Sequence, residues 1–126
     1  MRPEEQDYFD ALFACIDEQV FPVVRRVRFD DGTEPQPNEC HENAARWVEE
    51  NPEWRVVPGW LVSGLSAYGC CFDAHSIVAD RSGRLFEITL PSATPTAFVS
   101  HRGSKAQFEN ILSCFKQHIY CCNLGG

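Results

Sequence analysis

Cys40 lies in PQPNECHENAARW, residues 35–47, where a proline-punctuated loop gives way to an amphipathic helical pattern. A cysteine attacks as the thiolate, and the free side chain, with a pKa of about 8.5, needs help to reach that state. A place in the first helical turn supplies some. The N–H groups and positive dipole end of a helix start stabilise a thiolate and can hold a developing oxyanion. Asn38 or Gln36, just upstream, offers a side-chain amide to the same oxyanion. Asn43, one turn on from Cys40, is placed to tie the helix start to a neighbouring loop. The base is expected from FDAHSIVADRSGRLFEITLP, residues 72–91, which carries His75 near the beginning of one strand pattern and Glu87 in the next.

The turn between those strands decides whether His75 and Glu87 meet. A two-residue Ser82-Gly83 loop would put them on opposite faces of the sheet. A three-residue loop, Arg81-Ser82-Gly83, pairs Asp80 with Arg84 and puts Gly83 at the left-handed position such loops require. It also sets His75 opposite Thr89 and leaves Glu87 diagonal to His75 on the same face, within reach of a long side chain. Cys40, His75 and Glu87 then form a candidate nucleophile, base and orienting carboxylate.

The elements that must position them follow from periodicity. Residues 7–20 put Phe9, Leu12, Phe13, Ile16 and Val20 at helical spacing, with Pro22 ending the pattern. Residues 23–29 read as a short strand, and CHENAARWVEE reads as a helix stopped before Pro52. Strands are predicted over 54–63, with a Pro58-Gly59 interruption, then 73–80, 84–90 and about 97–100. A last helix opens at Ser104, where Ser104 and Gln107 have the form of a capping box, with Phe108, Ile111, Leu112 and Phe115 as its buried stripe. SGLSAYG, residues 63–69, is flexible enough in composition to be a covering loop. The order predicts one α+β domain over residues 1–126, with helices packed on a small, mainly antiparallel sheet.

Cysteine at a helix start, then histidine on a strand, then an acidic residue on the next strand resembles the papain-like cysteine hydrolase superfamily, in particular its compact bacterial amidases, glutamine deamidases and transglutaminase-like domains. The resemblance rests on ECHENAARW, AHSIVAD and RLFEITLP within residues 36–91. It implies a papain-like fold and a thioester mechanism: Cys40 as nucleophile, His75 as general base and then acid, and Glu87 as orienter. The oxyanion site would combine the Cys40 amide with Asn38 or Gln36. It also implies a protein or peptide amide as substrate, no cofactor and no metal, in a bacterial enzyme of effector or toxin type. The chain differs from the NlpC-type amidases in having Glu39-Cys40-His41-Glu42 in place of Asp-Cys-Ser-Gly, and its third position is Glu87 where Asp, Asn or His is more usual.

Two other classes compete. One is a non-enzymatic binding or immunity-type domain with Cys40 and His75 as packing residues. The other is a small zinc module drawing on Cys70, Cys71 and His75 with Cys40, His41 or Cys121-Cys122. The chain has neither a Cys-x-x-Cys nor a His-x(3–5)-His pair, which weighs against zinc. His41, about 100° around the helix from Cys40, is expected to point away as a surface or capping residue. Ser76 should face away from His75, no Gly-x-Ser-x-Gly elbow occurs, and His101 and His118 have no evident partner.

A net charge of −7 argues against nucleic acid as a partner. The one basic cluster, Arg25, Arg26 and Arg28, is expected to be the solvated face of a strand. With 44% apolar and 23% charged residues the composition is globular, and no stretch approaches the roughly 20 apolar residues of a membrane span. A soluble protein is expected, without membrane partner or conventional signal peptide, in a cytoplasm or delivered into that of another cell. Seven cysteines with no regular spacing point to reduced thiols.

Overall fold

The structure, a computed structural model, describes residues 3–89, 96–114 and 119–123. In chain order the elements are α1 (Pro3–Ala14), a 3₁₀ turn (Ile16–Glu18), β1 (Val23–Val24), α2 (Cys40–Glu50), β2 (Arg55–Ser66), β3 (Gly69–Ala79), β4 (Leu85–Glu87), β5 (Phe98–Ser100), α3 (Lys105–Cys114) and β6 (Ile119–Asn123). It is a mixed α+β chain whose strand pairs are antiparallel except for β1 with β4. No helix among the described residues is long and apolar enough to cross a membrane. The chain divides into two compact units, and the long strands β2 and β3 contribute to both.

The first unit comprises Met1–Val20, Gly59–Ala74 and Ala97–Gly126. Its core gathers Phe9, Leu12, Trp60, Val62, Phe72, Val99, Phe108 and Ile111. Helix α1 stops well short of the predicted residue 20, because Val20 and Phe98 exchange backbone hydrogen bonds of 2.8 Å as an isolated bridge. β2 runs through Pro58-Gly59 without the predicted interruption. A Cβ on Gly59 would lie 2.3 Å from the Val99 carbonyl oxygen, so only glycine lets β5 pair this closely. The expected covering loop at 63–69 is a tight hairpin instead: β2 extends to Ser66, β3 starts at Gly69, and the Tyr68 N–H donates to Ser66 Oγ at 3.1 Å. The capping box opens α3 as the sequence indicates, with the Ser104 N–H donating to Gln107 Oε1 (2.8 Å) and the Gln107 N–H to Ser104 Oγ (3.2 Å). Phe115 and His118 lie outside the described residues.

Two expectations about polar residues are corrected in this unit. His101 does have a partner. The Trp60 indole N–H donates to Tyr8 Oη (2.8 Å), Tyr8 and His101 Nδ1 are 2.7 Å apart, and His101 Nε2 faces the Ser104 carbonyl at 2.8 Å. Burial pushes the His101 pKa down, in keeping with a neutral ring that accepts from Tyr8 and donates to Ser104. The thiols are also not all reduced, since Cys71 is disulfide-bonded. β6 pairs with β3 so that Cys70 and Cys71 fall opposite Cys122 and Cys121, and paired strands bring Cα atoms into the range a disulfide spans. The pairing joins residues about fifty apart, which cysteine spacing alone does not reveal. Cys70 is buried in the core, Cys15 is half-buried outside it, and the side chains of Cys114, Cys121 and Cys122 lie outside those described.

The second unit comprises Phe21–Pro58 and His75–Thr96. Ala44, Trp47 and Val48, one stripe of α2, belong to a core with Val27, Val78, Phe86 and Ile88. α2 spans the predicted residues. The strand predicted over 23–29 is β only at Val23–Val24, paired in parallel with Phe86 and Glu87, and residues 25–29 have no regular structure, with Val27 and Phe29 still buried. Arg46 lies over the Phe29 ring at 4.2 Å and pairs with Asp31 at 2.9 Å, holding the 30–33 turn against α2. The indole N–H of Trp47 is the one buried side-chain donor without a hydrogen-bond partner among the described residues; its ring stands perpendicular to Trp54 at 5.6 Å.

Tyr8→Phe removes the middle of the Trp60–Tyr8–His101 chain and leaves a buried indole N–H unpaired. The expected cost is roughly 1–3 kcal/mol, read as a lower urea midpoint. An unchanged midpoint would refute a stabilising role for the chain.

Candidate active site

The hairpin that joins β3 to β4 sets the first half of the site. Val78 pairs with Phe86 and Ala79 with Leu85. The loop is Arg81–Gly83: the Asp80 N–H donates to Arg84 O (2.9 Å), the Gly83 N–H to Asp80 O (2.9 Å), and Gly83 has φ +89°. Asp80 Oδ1 accepts from the Ser82 N–H, the Ser82 hydroxyl and the Arg84 N–H, which locks the turn. Strand alternation carried back from this register puts His75 and Glu87 on one face. The His75 Nε2–H donates to Glu87 Oε1 at 2.5 Å, and both residues are about 5% exposed or less. The second oxygen of Glu87 accepts from the Thr89 N–H at 3.4 Å.

Helix α2 brings the thiol. Cys40 is its first residue, four before Ala44 and therefore on the stripe that faces the core. Glu39 makes no side-chain cap, and the first intrahelical bond runs from the Asn43 N–H to Glu39 O at 2.8 Å. The N–H groups of Cys40 to Glu42 thus precede the helical ladder, at the positive end of the helix dipole. The loop before Cys40 is clasped by Asn43: the Gln36 N–H donates to Asn43 Oδ1 (3.2 Å), and Asn43 Nδ2 donates to Gln36 O (2.8 Å). Asn43 Nδ2 donates also to Thr89 Oγ1 at 3.1 Å. One buried amide therefore joins the loop, the helix start and the end of the His–Glu hairpin.

The other two supporting candidates, Gln36 and Asn38, lie in the loop before Cys40. Gln36 is exposed and its side-chain amide donates to Glu34 O at 3.1 Å. Asn38 is exposed, in the left-handed region at φ 66°, where asparagine is tolerated better than most residues. It shapes the turn into the helix.

Burial is the largest influence on the Cys40 thiol and pushes its pKa up, but hydrogen bonds from His41 and His75 and their charge reverse this and bring it down to about 6. His75 behaves in the opposite sense. Burial disfavours its imidazolium, and hydrogen bonds with Cys40 and Glu87, with the charge of both, raise it to about 9. Between those values the site holds a thiolate beside an imidazolium. Because Nε2 is engaged by Glu87, the ring's other nitrogen is the one available to the sulfur.

The step around the helix predicts that His41 points away from Cys40, and it does not. Its side chain hydrogen-bonds Cys40, and its Nδ1 lies 2.6 Å from Ser76 Oγ. The 100° step is correct for the backbone, but a histidine in the first turn has no preceding turn to pack on, and the buried Ser76 hydroxyl draws its ring back towards the strand. The adjacency of His41 to Cys40 was the only sequence signal for it. Thr89, whose hydroxyl and N–H serve Asn43 and Glu87, was visible only as the residue opposite His75. Among the described residues no three histidine, cysteine or acidic side chains are gathered as a metal site, and Cys71 is committed to its disulfide.

No family model, curated protein or solved structure matches the chain. The site is defined by its own geometry.

Glu87→Gln keeps the side-chain shape and removes the charge that favours the imidazolium. In that variant the NMR titration midpoint of His75 should fall from about 9, and the midpoint for Cys40 alkylation should rise from about 6. His41→Gln should raise the Cys40 midpoint and leave that of His75 in place, since His41 acts on the sulfur and not on the second ring. Equal effects of both variants on His75 would contradict this division.

Proposed function

We propose that the chain is a papain-like cysteine amide hydrolase, acting on a carboxamide or peptide carbonyl through a thioester on Cys40. The observation that carries the reading is a cysteine at a helix start, hydrogen-bonded to a buried histidine that is itself held by a carboxylate. Cys40 Sγ attacks the carbonyl carbon, and the carbonyl oxygen takes the negative charge beside the first-turn N–H groups, Cys40's own foremost. On collapse, the C–N bond breaks and the proton on His75 goes to the leaving nitrogen, so ammonia or an amine departs. Water then attacks the thioester, His75 takes its proton, and the sulfur leaves as thiolate with a carboxylic acid as product. Glu87 holds the ring in the orientation both halves need, as the third member of a triad does. An amine in place of water would give transglutamination at the same centre.

Glutamine side chains on a protein are the proposed substrate, with the enzyme delivered to them as a bacterial effector or toxin. The Cys71 disulfide favours passage through an oxidising compartment over confinement to a reducing one. The fold proposed for residues 1–126 is a papain-like domain.

Incubation with glutamine-bearing peptides should release ammonia and, on acid quenching, leave a thioester-sized mass addition on the Cys40 peptide. Cys40→Ala should lower turnover by at least about a thousandfold, and His75→Ala by a similar factor, as members of one catalytic unit do. Added primary amine should divert the product if transglutamination competes. Equal ammonia release from wild type and Cys40→Ala would overturn the reading.

A further inference from the structure

The second unit carries a groove that the catalytic residues do not use. An open section of about 670 Å³ is lined by Arg25, Arg26, Val27, Arg28, Glu34 and Trp47. A smaller section of about 180 Å³ shares Arg25, Arg26, Val27 and Glu34 and adds Val24, Pro35, Ile88 and Thr89. Three guanidinium groups thus line the groove against one carboxylate, in a chain whose net charge is −7. Random placement of charge on so acidic a protein would give the opposite sign.

The arginines differ in what holds them. Arg26 pairs with Glu34 at 2.7 Å, and Arg28 donates to Gly32 O at 3.0 Å and lies 3.9 Å from the same Glu34. Arg25 has no carboxylate within ion-pair distance among the described residues. Its guanidinium is instead placed by aromatic rings, 5.6 Å from the centre of Trp54 and 5.5 Å from that of Phe86. The rings attract the cation without accepting its N–H groups as a carboxylate would, which leaves those donors for an anionic acceptor.

The groove shares walls with the Cys40 site. Thr89 lines the smaller section while bonding Glu87 and Asn43, and Pro35 lines it one residue before the Gln36 that Asn43 clasps. The Arg25 N–H donates to Glu87 O at 2.9 Å, so Arg25 is the next chain over from Glu87. Its side chain turns to the Phe86 side of β4, and two strand spacings with a one-residue offset separate its backbone from that of His75, roughly 10 Å, or at least three residues of extended polypeptide.

From this geometry we infer that the groove binds an acidic polypeptide segment, with Arg25 pairing a carboxylate three to four residues from the amide presented to Cys40. The inference rests on the hydrolase reading for its orientation towards Cys40. A polypeptide fits better than a phosphate. Arg26 and Arg28 both face Glu34, which leaves Arg25 as the groove's guanidinium without a carboxylate among the described residues, a single cation suited to one side-chain carboxylate, and Val27 and Trp47 add apolar wall for the chain that carries it.

The test is fluorescence anisotropy on the unreactive Cys40→Ser protein with labelled glutamine peptides that differ only in carrying glutamate, serine or lysine three and four residues from the glutamine. The acidic peptide should bind about tenfold more tightly than the serine peptide, and the difference should shrink as salt rises. Arg25→Gln should abolish the preference and Arg25→Glu should invert it towards lysine. Equal binding of acidic and serine peptides, or a preference that survives Arg25→Gln, overturns the inference. Tighter binding of inorganic phosphate than of the acidic peptide also overturns it, in favour of an anion site. Because the assay needs no turnover, selective binding by a chain that never releases ammonia would leave the groove standing and remove only the hydrolase reading.

Discussion

A buried imidazole and a buried carboxylate are each costly unless they satisfy one another, and the contact between His75 and Glu87 is the constraint on which the rest of the second unit depends. It requires the hairpin to close with three residues, since a slip of one would send Glu87 to the other face. It requires the Thr89 N–H to hold the second carboxylate oxygen, and Asn43 to hold Thr89 in turn. Asn43 then determines where the loop before Cys40 meets α2. The thiol is thereby delivered to the histidine by a chain of hydrogen bonds that begins at the carboxylate.

The electrostatics follow from the same arrangement. Burial alone would leave Cys40 protonated and His75 neutral, the ordinary fate of such groups. Glu87 and the paired partners invert both, and His41, bonded to Ser76, adds a second imidazole on the sulfur. A thiolate between two histidines and beside a helix start is strongly stabilised, and a very stable thiolate is a weaker nucleophile. A value near 6 keeps ionisation at neutral pH without moving the thiol to the acidic extreme.

Local chemistry made much of this legible in the sequence. Gly83 two residues before Leu85 specifies the turn, and parity then carries His75 and Glu87 to one face. Loop-forming residues before Cys40 and Pro52 after Asn51 bound α2, and Ser104 with Gln107 announces α3. What the sequence left hidden depends on partners distant in the chain. The Val20–Phe98 bridge shortens α1, the approach of Val99 makes Gly59 obligatory inside β2, and the pairing of β6 with β3 brings cysteines into register. The arginines are exposed as their pattern indicates, but they follow the strand instead of lying on it, and the aromatic rings beside Arg25 come from Trp54 and Phe86, residues no local pattern connects to it. His41 escaped because backbone angle outweighed side-chain reach.

The ionisation of Cys40 tests the account most directly. Thiolate ultraviolet absorbance followed against pH, with Cys40→Ser as the blank, isolates that one group from the other cysteines. The account predicts a step centred at about 6 that moves up in His75→Ala. A Cys40 thiol that ionises only near the ordinary value of about 8.5, or a step indifferent to His75, would contradict it.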